Sequence, residues 1–71
     1  MSEVVIDTTG LACPQPIISL AQRISEVAVG DSLTLLADDP AAKFDVPAWC
    51  RMTQQVLVSM ENSTFVIRRS A

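Results

Sequence analysis

The sequence predicts an α/β (α+β) fold: a two-layer sandwich in the order βαβαββ, with two helices on one face of a four-stranded mixed sheet. Three observations predict it. Short runs rich in valine, isoleucine and leucine flank a segment of strong helical period, and the last two runs are separated only by a tight-turn sequence. The composition also leaves little chain for loops, with two glycines and four prolines among 71 residues. Hydrophobic residues make up 49% and charged residues 18%, the opposite of a disordered chain. Residues 1–71 are therefore read as one small domain without repeats or linkers.

Val4, Val5 and Ile6 read as a first strand, ended by the loop Asp7-Thr8-Thr9-Gly10. Leu11-Ala12-Cys13 then leads into two prolines. Ile17, Leu20, Ala21, Ile24, Val27 and Ala28 follow an i, i+3, i+4, i+7 pattern, with Ser19, Gln22, Arg23 and Glu26 on the other face. The pattern predicts a helix running to a stop at Gly30. Pro14 and Pro16 fall in its first turn, where a missing N–H is tolerated, and this puts Cys13 close to the N-cap.

Ser32 to Ala37 reads as a second strand, Leu33 and Leu35 facing one way and Ser32 and Thr34 the other. Asp38-Asp39-Pro40 is a turn and helix-start signal, with Asp39 as a cap. Pro47 interrupts the second helical segment, which predicts a short turn around Pro40 to Phe44 and a better helix from Val46 to Thr53, capped by Asp45. Val56 to Met60 and Thr64 to Arg68 form a hairpin turning at Glu61-Asn62-Ser63.

Charge and absences narrow the function. The net charge is −3 and the only adjacent basic pair is Arg68-Arg69, which argues against direct nucleic-acid binding. No apolar run approaches the roughly 20 residues that span a bilayer. Met1-Ser2-Glu3 carries an acid where a secretory signal carries basic residues. The expectation is a cytosolic chain without membrane insertion, in which two cysteines do not make a disulfide framework. With no histidine, neither a Ser-His-Asp nor a Cys-His arrangement can be built within the chain. Two distant cysteines without histidine make a poor zinc site, so no metal and no cofactor is expected. Among nucleophiles, the thiols stand out.

A thiol at a helix start meets free N–H groups and the positive end of the helix dipole, which favour the thiolate. Such cysteines titrate below the ordinary ~8.5. Here Pro14 and Pro16 remove two donors and leave Gln15 as the nearest first-turn N–H, so moderate activation is expected. A partly exposed, activated thiol suits reversible sulfur chemistry: it takes up a sulfane sulfur as a persulfide and releases it to another nucleophile. Cys13 also reads as a small buried hydrophobe at a loop–helix junction. Position alone does not separate the two.

The stretch Asp7-Thr8-Thr9-Gly10-Leu11-Ala12-Cys13-Pro14-Gln15-Pro16 resembles the first signature of the TusA/SirA-like sulfur-carrier proteins, which have a Cys-Pro-x-Pro motif at the start of the first helix. Asp38-Asp39-Pro40 and Asp45-Val46-Pro47-Ala48-Trp49-Cys50 resemble their second signature, and Ile67-Arg68-Arg69 their basic C-terminal strand end. The resemblance covers nearly the whole chain in order. It implies that Cys13 carries the persulfide within the motif Pro14, Gln15, Pro16. It also implies a cysteine desulfurase or rhodanese-type sulfur donor and a downstream acceptor protein. Such a protein is a cosubstrate in a relay, serving tRNA thiolation, molybdenum-cofactor synthesis or sulfur and thiosulfate metabolism. The chain departs from the family pattern at Ala12, where a basic residue is common, and at Gln15, where glutamate is common. Loss of the cation weakens thiolate stabilisation and loss of the acid strengthens it.

Other residues have plainer readings. Cys50 is expected near the inward face of the second helix with Val46, Trp49 or Thr53. It is either a packing residue or a second thiol that resolves the Cys13 persulfide, which requires Cα atoms within about 7 Å. Trp49 reads as a half-buried packing residue or a docking anchor. Asp7 and Asp45 read as residues that cap or turn the backbone, and Lys43, Arg51, Arg68 and Arg69 as solvated surface charges, with steering of an acidic partner or of the anionic persulfide as the alternative. With both helices on one face, the other sheet face, to which Val5, Leu36, Leu57 and Val66 are assigned, stays open for a partner or for weak self-association. Besides the sulfur carrier, two functions compete: a regulatory or protein-binding module on the same fold, and a Cys13–Cys50 redox protein, which lacks Cys-x-x-Cys spacing.

Overall fold

In the computed structural model, residues 4–71 are described; Met1, Ser2 and Glu3, and with them the argument from an N-terminal acid, lie outside the described residues. Val4–Asp7 forms β1, Gln15–Arg23 α1, Ser32–Leu36 β2, Ala42–Thr53 α2, Val56–Glu61 β3 and Thr64–Arg68 β4. The sheet order is β1-β2-β4-β3. Strands β1 and β2 pair in parallel, with α1 supplying the crossover that parallel pairing needs. Strand β4 runs antiparallel to both β2 and β3. The predicted two-layer α+β sandwich with a four-stranded mixed sheet is the fold observed.

Alternation along the strands builds the core. Ile6, Leu33, Leu35, Phe65 and Ile67 are all at most 3% exposed and lie in register across the inner face. Leu20 of α1 and Ala42, Val46 and Cys50 of α2 close over them. The last three recur every fourth residue, one buried stripe along one helix face. Thr8 is the one buried polar side chain among the described residues, and both its N–H and its hydroxyl donate to the Leu36 carbonyl, at 2.8 and 2.7 Å.

Three local expectations are corrected. Helix α1 ends at Arg23 and tightens into a 3₁₀ turn at Ile24–Glu26, so it does not continue through Val27 and Ala28 to Gly30. Val27 is extended, which swings its side chain into the core, while Ala28 is exposed. Helix α2 is continuous through Pro47. The proline removes the N–H that would meet the Lys43 carbonyl, but the Ala42-Val46-Cys50 stripe outweighs one lost bond. Asp45 accordingly lies inside the first turn of α2 instead of capping a second helix. The third concerns the open sheet face. Val5, Val56 and Val58 are exposed there and Leu36 and Val66 half-buried, but Leu57 pairs with Ile67 and packs against the core. A bulge between Leu57 and Ser59 leaves Val58 unpaired.

The C-terminal hairpin turns on Asn62 and Ser63, with φ of 48° and 65°, so Glu61 remains in its strand. Two successive positive φ values give the turn twist that antiparallel strands favour. Arg69 is not merely solvated: its guanidinium donates to the Val27 carbonyl at 2.8 Å, tying the chain end to the segment after α1.

Candidate functional site

The motif loop hangs between the end of β1 and the start of α1, and carboxylates hold it. Asp7 Oδ1 accepts from both the N–H and the hydroxyl of Thr9, at 3.0 and 2.7 Å, the turn role read from sequence. These bonds draw the Asp7 carboxyl below its ordinary range. Gly10, at φ 82°, donates its N–H to Asp38 Oδ1 at 2.9 Å. Cys13 N–H donates to Asp39 Oδ2 at 3.2 Å, while Oδ1 of the same carboxylate accepts from Ala41 N–H at 2.7 Å. Asp39 thus starts the turn into α2 and pins the cysteine to it. Ala41, rather than Asp39, occupies the formal N-cap.

Within the motif, Pro14 is the N-cap residue of α1, Gln15 opens the helix on the surface, and Pro16 is buried in the first turn. Cys13 therefore sits one residue before the N-cap. The Cys13–Pro14 peptide is cis. Gln15 N–H, expected as the thiol's nearest donor, instead donates to the Ala12 carbonyl at 3.0 Å.

The Cys13 side chain is partly exposed and packs against the core edge. Its electrostatics run opposite to the helix-terminus expectation. Partial desolvation, the facing Asp45 carboxylate as hydrogen-bond acceptor, and the negative charges of Asp39 and Asp45 together push the thiol above its ordinary range. The proton-bearing form is favoured at neutral pH. Sequence reasoning weighs the donors at the helix start and misses the carboxylates that α2 and the turn before it bring to the same place.

Cys50 is 3% exposed, on the core side of α2 next to Val46, and burial pushes its thiol up. Both cysteines are free thiols. Trp49 is half-buried, as expected, and with Pro14, Ile17, Asp45, Ala48 and Met52 it lines a shallow, largely apolar groove of about 320 Å³ between the two helices. Among the described residues, no three acidic or cysteine side chains gather closely enough to hold a metal ion, and no helix is long and apolar enough to cross a membrane.

The residues that sequence reasoning missed are therefore Asp38, Asp39 and Asp45 as partners of the motif loop. The Asp38-Asp39-Pro40 run was visible, but as a turn signal. Its long-range bonds to Gly10 and Cys13 arise only from the parallel pairing of β1 with β2, which sets the two strand ends side by side. The family model described as sulfurtransferase TusA matches residues 4–69, which takes in every strand and helix and both runs that meet at Cys13. On that match, the chain belongs to the TusA family, whose members carry sulfur between donors and acceptors.

Proposed function

We propose that this chain accepts sulfane sulfur on Cys13 as a persulfide and hands it to an acceptor protein. The observation that carries the reading is the contrast between the thiols: Cys13 opens to solvent on a loop pinned at both ends, whereas Cys50 is sealed in the core. In the loading step the Cys13 thiolate attacks the terminal sulfur of a donor persulfide. The donor's S–S bond breaks, a new S–S bond forms at Cys13, and the donor leaves as its thiolate. Unloading is the same exchange reversed toward an acceptor nucleophile, with the Cys13 thiolate as leaving group. Neither step needs an outside oxidant or reductant, a metal or a cofactor. A cysteine desulfurase or rhodanese-type protein fits the donor role, and the relay belongs in the cytosol, where thiols stay reduced.

The raised Cys13 pKa bears on both directions. Attack needs the thiolate, and a thiol of higher pKa is a slower leaving group. An isolated carrier is thus slow to load and slow to lose its cargo, and exchange quickens where a partner neutralises the adjacent carboxylates. Intact-mass analysis after incubation with a desulfurase and cysteine tests the reading: gain of one sulfur atom in the wild type and none in Cys13→Ser supports it. A binding module without persulfide chemistry remains the second reading, favoured by the exposed Val5, Val56 and Val58 on the open sheet face. It predicts a cellular phenotype that survives Cys13→Ser but not polar substitution of those valines.

A further inference from the structure

The groove between α1 and α2 has an apolar floor, and its one charged lining residue is acidic. Pro14, Ile17, Ala48, Trp49 and Met52 supply apolar surface, and Asp45 supplies the charge. Met52 is 83% exposed, a large apolar side chain left in water on the groove wall. Asp39 accepts the Cys13 N–H at 3.2 Å and Asp45 lines the groove together with Pro14, so two carboxylates flank the cysteine. Lys43 lies over the Phe44 ring at 5.5 Å and lines a separate groove with Asp38, Asp39 and the β3–β4 turn. Ala12 before the cysteine and Gln15 within the motif add no charge of their own. A partner reaching Cys13 therefore meets apolar surface bounded by carboxylates that, among the described residues, take part in no salt bridge.

We propose that this groove docks a partner segment carrying an apolar side chain next to a lysine or arginine. The inference rests on reading Cys13 as the sulfur-carrying thiol, since Pro14 and Asp45 join the groove to it. The apolar side chain covers Trp49 and Met52, removing exposed hydrocarbon from water. The cation pairs with Asp45, and an acidic partner is repelled at the same place. The same cation relieves the charge that disfavours the Cys13 thiolate, so docking and activation of the thiol come from one contact.

Trp49 is the only tryptophan in the chain and reports on the groove directly. The 71-residue chain is titrated with an acetylated Gly-Arg-Leu-Leu-Arg-Gly amide and, separately, with its Gly-Glu-Leu-Leu-Glu-Gly counterpart. The basic peptide is expected to shift Trp49 emission saturably, with affinity falling as salt rises, and the acidic peptide to leave it unchanged. Asp45→Asn weakens the basic peptide by about fivefold, the scale of one partly exposed ion pair. Met52→Ser, at an exposed position that leaves folding intact, weakens it as well, and Cys13→Ser binds like the wild type. Equal response to both peptides, indifference to Asp45→Asn, or an emission change with protein concentration alone, which marks a second copy as the occupant, overturns the proposal. Loading of Cys13 by inorganic polysulfide, a donor too small to need the groove, is scored separately by mass. Peptide binding without loading removes the carrier reading and leaves the groove; loading without peptide preference does the reverse.

Discussion

Replacing Asp39 by alanine removes two acceptors at once, and the structure sets the size of the loss. Its Oδ2 receives Cys13 N–H at 3.2 Å and its Oδ1 receives Ala41 N–H at 2.7 Å, so one carboxylate joins the motif loop to the start of α2. Hydrogen bonds to a charged acceptor contribute about 1.5–3 kcal/mol each when shielded, and water replaces part of that for a half-buried carboxylate. The pair is therefore expected to lose about 2–3 kcal/mol. For a chain of this size, total stability is on the order of 4–10 kcal/mol. The expected fall in Tm is roughly 8–24 °C, at about 4–8 °C per kcal/mol. Asp39→Asn separates geometry from charge. Its carbonyl oxygen still accepts one N–H and its amide group accepts none, so about half the loss remains. Differential scanning calorimetry on the wild type and both variants gives the Tm values. A Tm for Asp39→Ala within 2 °C of the wild type, judged against the roughly 8 °C minimum expected, would refute the clamp.

Further predictions concern titration and the helix end. The Cys13 thiol is held up by desolvation and by Asp39 and Asp45, so its iodoacetamide rate keeps rising beyond the ordinary thiol range near ~8.5. Asp45→Asn moves that profile to lower pH; a profile unmoved or moved upward contradicts the electrostatic account. Burial raises the Cys50 thiol in the folded state, so above ~8.5 the unfolded chain binds fewer protons than the folded one. That stability contribution is whole below the unfolded pKa and is lost as pH climbs toward the folded value. Tm measured from about pH 7.5 to 9.5, roughly one unit either side of ~8.5, should fall, and fall less in Cys50→Ala than in the wild type. Gln54 ends α2 at φ 62°, a left-handed conformation that glycine adopts more readily. Gln54→Gly is expected to stabilise by about 0.5–1 kcal/mol, read as an upward shift in the urea midpoint.

Much of this was legible in the sequence, for identifiable reasons. The strands stood out because Leu33 and Leu35, and then Phe65 and Ile67, alternate with residues of the other face, and because Asn62-Ser63 tolerates the turn's positive φ values. What was lost was tertiary. Ile24, Val27 and Ala28 keep a helical period, yet Val27 reaches the core from an extended backbone, and periodicity does not report that change. Pro47 reads locally as a breaker, and only the Ala42-Val46-Cys50 stripe, set by packing on the sheet, carries the helix through it. Gln54 gives no glycine to mark the end of α2. At the site, position put Cys13 and its two prolines at the helix start, and the family resemblance, rather than spacing, singled out the thiol. The sign of the thiol's electrostatics was not, because Asp39 and Asp45 lie 26 and 32 positions farther along the chain and meet it only in the fold.

The most direct test of the central claim is where a transferred sulfur resides. The wild type, Cys13→Ser and Cys50→Ser are each incubated with a cysteine desulfurase and cysteine, and intact masses are recorded before and after treatment with a thiol reductant. The account predicts one added sulfur atom in the wild type and in Cys50→Ser, none in Cys13→Ser, and its complete removal by the reductant. Sulfur that persists in Cys13→Ser and vanishes in Cys50→Ser would contradict it.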